Sequence, residues 1–176
     1  MAEGILFSAV FTKGKIMKLK LSKRTFAAGA FFLLSGFATQ ANAITMHPVL
    51  QDSDVEKIVA AAKQAMNENH TSGCIAVADA DGQLLFLQRQ ETAMPNCTSS
   101  AIAKVTTAAK FQTPTVTYNK LLADHQDIML GVPELAPMPG GQPLFHDGKI
   151  VGAVAISTPD GDLDLKVVAA AAAVIK

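Results

Sequence analysis

The stretch Pro137 to Ser157, PMPGGQPLFHDGKIVGAVAIS, restricts the fold of this chain more than any other. Its opening, Pro137-Met138-Pro139-Gly140-Gly141, is excluded from helix and sheet interiors, because proline fixes φ and removes a donor while glycine opens conformations closed to other residues. Gln142 to His146 and Lys149 to Ser157 are apolar runs, and between them lies Asp147-Gly148, a dipeptide that favours a two-residue hairpin turn. The reading is a Gly-rich loop feeding a β-hairpin. Its second strand, Ile150 to Ile156, is apolar on both faces, as a strand covered on both sides must be.

The remaining elements follow from periodicity and punctuation. Ser53 and Glu56 form a capping box before Val55, Ile58, Val59, Ala62, Ala65 and Met66, which recur at helical spacing and end near Asn67 to Asn69. Cys74 to Ala80 reads as a strand, Asp81-Gly82 as a turn and Gln83 to Gln90 as the hairpin partner. A second helix, capped by Thr98 or Ser99, runs to Phe111 and is stopped by Pro114; its small residues imply a close neighbour. A third helix spans Thr115 to about Gln126, and Asp127 to Gly141 is an irregular segment long enough to be functional. Asp162 or Asp164 starts a terminal helix through Ile175. The order αββααββα, with two D-G hairpins separated by helices, gives an α+β domain with an antiparallel sheet flanked by helices.

The N-terminus belongs to a different physical class. From Met17 a basic segment is followed by about a dozen apolar residues, FAAGAFFLLSGFA, and by a small-x-small end at Ala41-Asn42-Ala43. That apolar run falls short of the ~20 residues of a membrane-spanning helix. The division is an extension over 1–16, a signal peptide over 17–43 and a single domain over 44–176, periplasmic or secreted, with no stable membrane insertion once the leader is removed. The domain holds nine basic and fourteen acidic residues, a net charge of −5. With no basic stripe it lacks what nucleic acids and anionic membranes require. Export makes a Cys74–Cys97 disulfide reasonable, worth ~3 kcal/mol in the chain-entropy model; two buried thiols or a reactive pair are the alternatives. No C-x-x-C or C-x-x-C-H occurs, so zinc-ribbon, thioredoxin-type and covalent haem signatures are missing.

The motif run GG-x-P…D-G…G-A, with Ala76-Val77-Ala78-Asp79-Ala80-Asp81-Gly82, Ala103 to Phe111 and Pro114-Thr115, resembles the signature of the GlcG/HbpS family. These are small haem-binding-type domains, also found as the C-terminal part of PduO proteins. The resemblance covers roughly Asp52 to Ile175. It implies a profilin-like α-β-α sandwich, self-association into a homo-oligomer, and haem or a related tetrapyrrole bound without covalent attachment. Lys104, Thr107, Phe111 and Thr115 match the family's K-A-x-T-A…P-T element. The open alternatives for them are direct ligand contact, or a solvated lysine, back-bonded threonines and a core phenylalanine. Gly140 and Gly141 either present N–H groups to an anion or permit a tight chain reversal. Relatives commonly carry G-x-S-G after the last strand; here it ends Ala155-Ile156-Ser157-Thr158-Pro159, which puts an anion-binding nest there in doubt.

A haem needs an apolar slot, an axial donor and usually cations for its propionates. His47 and His70 are candidate axial ligands and His146 a candidate ligand-contacting residue, with Met94, Met138 and Tyr118 as other donors. The domain has only four aromatics, Phe86, Phe111, Tyr118 and Phe145, which favours a site shared between subunits, where Ala-rich and Gly-rich surfaces admit a flat ligand. The Asp160, Asp162, Asp164 run suits helix capping better than a hard cation. No nucleophile elbow, H-E-x-x-H, P-loop or G-x-G-x-x-G occurs, so no catalytic residue is assigned. Three functions follow: an exported haem-binding protein with a sensory, carrier or protective role, a module for a small organic acid using Lys104, or a haem-degrading or redox enzyme.

Overall fold

The sheet alternates two kinds of surface, and that alternation decides where each helix lies. In the computed structural model, which describes residues 48–175, β1 (Cys74–Asp79) and β4 (Lys149–Ser157) are the central strands. They are flanked by β2 (Leu84–Arg89) and β3 (Gly141–His146), in the order β2-β1-β4-β3 with every neighbouring pair antiparallel. Ile75, Val77, Val154 and Ile156 point to one face and pack with Ile58, Ala62 and Met66 of α1 (Asp52–Glu68) and Val167, Val168 and Ala171 of α4 (Gly161–Ala172). Ala76, Ala78, Ala153 and Ala155 point to the other face, against Ala101, Val105, Ala108 and Ala109 of α2 (Cys97–Phe111). Small residues on both sides of that contact let α2 approach the sheet closely. α3 (Thr115–Ala123) and a 3₁₀ turn at Asp127–Gly131 complete the described elements. The class and the order αββααββα are as expected.

Local boundaries differ in instructive ways. α1 begins earlier than the Ser53 capping box implies: Gln51 is its N-cap, and its N–H donates to the Asp54 carboxylate. α2 starts at Cys97 with Asn96 as its N-cap, not at a Thr98 or Ser99 cap, and the disulfide to Cys74 ties down that end. α3 stops at Ala123, short of Gln126, and α4 starts at Gly161, where the Asp160 side chain accepts from the N–H groups of Asp162 and Leu163. The D-G hairpin of β3 and β4 closes through Asp147 (φ 49°) and Gly148 (φ 73°), both left-handed as a type I′ turn requires. The small-residue stripe of α2 packs on the chain's own sheet and offers no surface to a second copy.

Cys74 and Cys97 form a disulfide, with Cα atoms 5.4 Å apart and a sequence separation of 23. It ties the start of α2 to the start of a central strand. No helix among the described residues is long and apolar enough to cross a membrane. The extension over 1–16, the leader over 17–43 and His47 lie outside the described residues. Reduction of the disulfide is expected to lower stability by about 3 kcal/mol, read as a lower denaturant midpoint in reductant. A Cys74→Ala, Cys97→Ala variant should match the reduced protein and no longer respond to reductant.

Candidate functional site

Helix α2 carries one charge inside its apolar stripe. Ala101, Lys104, Val105 and Ala108 recur at i, i+3, i+4, i+7 and all are buried. A lysine held there must be paired, because an isolated buried ammonium is far too costly. Lys104 Nζ donates to Asp164 Oδ2 at 2.7 Å and to the Ile156 carbonyl at 3.0 Å. Asp164 Oδ1 accepts from the Thr158 N–H at 2.6 Å. The side chains are 4 % and 3 % exposed. Burial pushes the Asp164 carboxyl above the ordinary carboxylate range, a shift that its hydrogen bonds from Lys104 and Thr158 oppose. Lys104 is therefore not the solvated lysine that was one of its two sequence readings.

Two other motif residues, Thr107 of α2 and Thr115 of α3, hold the two ends of the Gly-rich loop. Thr107 Oγ1 donates to the Ala103 carbonyl, lies 3.0 Å from the Glu134 carbonyl, and accepts from the Ala136 N–H at 2.8 Å. Thr115 Oγ1 accepts from the Gly141 N–H at 2.9 Å, and the Gly140 carbonyl accepts from the Ile156 N–H. Gly140 has φ +107°, and a Cβ there would lie 2.6 Å from the Ile156 carbonyl oxygen and 2.7 Å from Asp164 Cβ. Only glycine fits that close approach. Phe111 stands apart, half-buried with its ring edge-on to Tyr118 at 5.8 Å. Lys104, Thr115, Gly140 and Gly141 thus share one buried neighbourhood, Thr107 secures the segment that leads into it, and Phe111 and His146 stand apart.

Two clefts lie at opposite ends of β4. The first, about 400 Å³, sits over the ion pair where β4 ends; Met94, Ser100, Met138, Pro139 and Thr158 are among its lining residues. The second, about 500 Å³, lies beside the start of β4 and the end of β3, where Leu50, Asp54, His146, Val151, Val174 and Ile175 line it. His146 is exposed, and its Nε2 lies 3.7 Å from Asp147 Oδ2. The Lys57 hydrogen bond first, and then the Gln51 N–H, hold the Asp54 carboxyl below its usual range; the neighbouring His146 adds a smaller pull. His70 is exposed with φ 48° at the end of α1, away from either cleft's lining. Among the described residues no group of three or more His, Cys, Asp or Glu is arranged to hold a metal ion. Asp160 caps α4 and Asp164 pairs with Lys104, so the acidic run serves the fold.

This architecture matches that of known proteins. The family model described as "Haem degrading protein HbpS-like" matches residues 50–173. The chain belongs to the HbpS-like family. It is 34 % identical to Protein GlcG of Escherichia coli strain K12 over 109 residues, covering 62 % of this chain and 81 % of that one. A crystal structure of HbpS superposes with a TM-score of 0.70 at 28 % identity, over 79 % of this chain and 99 % of the other. A crystal structure of a PduOC:haem complex shares the fold at 20 % identity, with a TM-score of 0.67, over 73 % and 96 %.

Set against the demands of a haem, the second groove fits the donor chemistry better. It has an imidazole at its mouth and a wall of Leu50, Val151, Val174 and Ile175. Lys149, opposite His146 in the hairpin register, supplies a nearby cation. The first cleft has thioethers but a charged floor and no imidazole. Asp164 and Asp54, which sequence reasoning did not single out as site residues, are central to the two clefts. One signal was available: Asp164 falls in the stripe of Val167, Val168 and Ala171, as Lys104 falls in that of α2.

Lys104→Met is expected to cost about 3–5 kcal/mol, because it strands a buried carboxylate. Folding favours the protonated form of a carboxyl whose folded pKa is raised. That contribution is whole below the ordinary carboxylate range and is lost as pH rises through the raised value. The loss in Lys104→Met should therefore be larger at neutral pH than in acid. The double variant Lys104→Met, Asp164→Leu should recover most of it; urea denaturation at several pH values reads both effects.

Proposed function

We propose that this chain is an exported protein that binds haem non-covalently in the groove beside His146, with a sensory, carrier or protective role. The observation that carries the reading is the imidazole of His146 in a groove with one aliphatic wall, Lys149 being its neighbour across the hairpin. His146 would serve as axial donor and the aliphatic wall would exclude water from the ring. Lys149, with Lys57 beside Asp54, would meet the propionates. Bound haem would supply a redox-active, strongly absorbing iron centre; the residues would only hold and orient it. Membership of the HbpS-like family supports the ligand class, as does the shared fold with the PduOC:haem complex.

The leader-like segment over 17–43 and the Cys74–Cys97 disulfide support an oxidising compartment outside the cytosol. Self-association is part of the same proposal, supported by Leu84 and Leu85, which are 44 % and 47 % exposed on the edge strand β2. The family description also names haem degradation. Loss of haem absorbance with reductant and oxygen, beyond a free-haem control, would make the chain an enzyme.

Hemin titration into the purified protein is expected to give a saturable Soret shift. His146→Ala should weaken it at least about tenfold, by removing an axial bond and ~1.4 kcal/mol or more. His47→Ala and His70→Ala are the parallel variants. An unchanged affinity in His146→Ala, with loss in either of the others, would move the site away from this groove.

A further inference from the structure

The first cleft has a floor that the haem reading does not use. A lysine ammonium has three donors, and Lys104 Nζ makes two hydrogen bonds, to Asp164 and to the Ile156 carbonyl. Its third N–H has no protein acceptor among the described residues, although Lys104 is 3 % exposed and borders the cleft. The walls above it are Met94, Met138, Pro139 and Pro159, with Met94 55 % and Met138 36 % exposed. Ser100 and Asn96 stand at the side. One buried, incompletely bonded ammonium beneath thioether and proline walls matches an acceptor oxygen on a small apolar body. At about 400 Å³ the cleft lies at the lower end of small-molecule sites.

We propose that this cleft binds a small monocarboxylic acid, its carboxylate on Lys104 and its apolar body against Met94 and Met138.

Charge balance sets a condition on the binding. Lys104 and Asp164 are the only charged residues lining the cleft among those described, and the pair is neutral. A bare carboxylate would leave the buried site one negative charge in excess, which is strongly disfavoured. One proton therefore enters with the anion, and Asp164 receives it. Asp164 already sits above the usual carboxylate range because it is buried. The groups facing Asp164 are Lys104 from α2 and the Thr158 N–H from the segment before α4. The neighbouring Asp160 is engaged by the N–H groups of Asp162 and Leu163. Among the described residues lining the cleft Asp164 is the only carboxyl, so the proton lies between it and the bound carboxyl.

The test is isothermal titration calorimetry of the full chain with butyrate, hexanoate and benzoate, and with the corresponding alcohols, in two buffers of different ionisation enthalpy. At least one carboxylate should bind saturably with uptake of one proton, and its affinity should fall about tenfold per pH unit above the Asp164 titration. The alcohols should not bind. Ser100→Phe, which fills the cleft from its side, should abolish carboxylate binding and leave hemin binding unchanged, separating this site from the haem groove. Should that variant misfold, methyl-labelled methionine spectra of the native chain serve instead: Met94 and Met138 should shift with carboxylate, and buried Met66 should not. Absence of saturable binding by all three acids, equal binding of an alcohol, no proton uptake, or persistence in a folded Ser100→Phe would each overturn the proposal.

Discussion

A single ion pair, Lys104 to Asp164, joins parts of the chain that have no other strong reason to meet. The lysine comes from the middle of α2, on one face of the sheet, and the aspartate from the first turn of α4, beyond the end of β4. Their contact crosses the sheet's end through the Ile156 carbonyl and the Thr158 N–H. Against apolar replacements such a pair gives little net stability, but with one partner removed it becomes a large liability. Its value here is positional. It links α2 to the start of α4, while Thr107 of α2 holds Ala136 and Thr115 of α3 holds Gly141, at either end of the Gly-rich loop.

The two faces of the sheet explain why the clefts lie at its ends and not on its surfaces. On one side aliphatic side chains fill the space beneath α1 and α4, and on the other alanines bring α2 close. Between helix and strand there is only a shallower cleft of about 310 Å³, where Val55, Val59 and Ala60 of α1 face Phe86 of β2. Among the described residues the two larger openings lie where strands finish and loops pass across. One end offers Lys104 beneath methionines, and the other offers His146 beside aliphatic residues. Their chemistries differ accordingly.

Much of the fold was legible because its signals are local. Asp147-Gly148 named the hairpin, Lys149 to Ser157 named a doubly covered strand, and Pro114 closed the second helix. The helix starts were less legible. Gln51 is a poor capping residue by type, and Asn96 caps α2 without a side-chain hydrogen bond. At the site, the motif residues Lys104, Thr107, Thr115, Gly140 and Gly141 share one neighbourhood, but which partner each takes is long-range information. Asp164 lies 60 positions from Lys104, and no local rule links them. Only the placement of each charge within an apolar stripe hinted that both are buried. His146 was visible as a donor, yet its groove depends on residues 48–51 and 174–175, which no local pattern brings to the end of β3.

The walls of that groove are mechanically unequal. His146 stands on a strand closed by a two-residue turn, and Val151 belongs to a central strand. Opposite them are the short segments entering α1 and leaving α4, which no strand pairing secures. Any accommodation of a broad planar guest must come from that second side. Pro48 and Ile175 themselves line the opening, so a change that stiffens either short segment would resist that yielding more than a change in the strands.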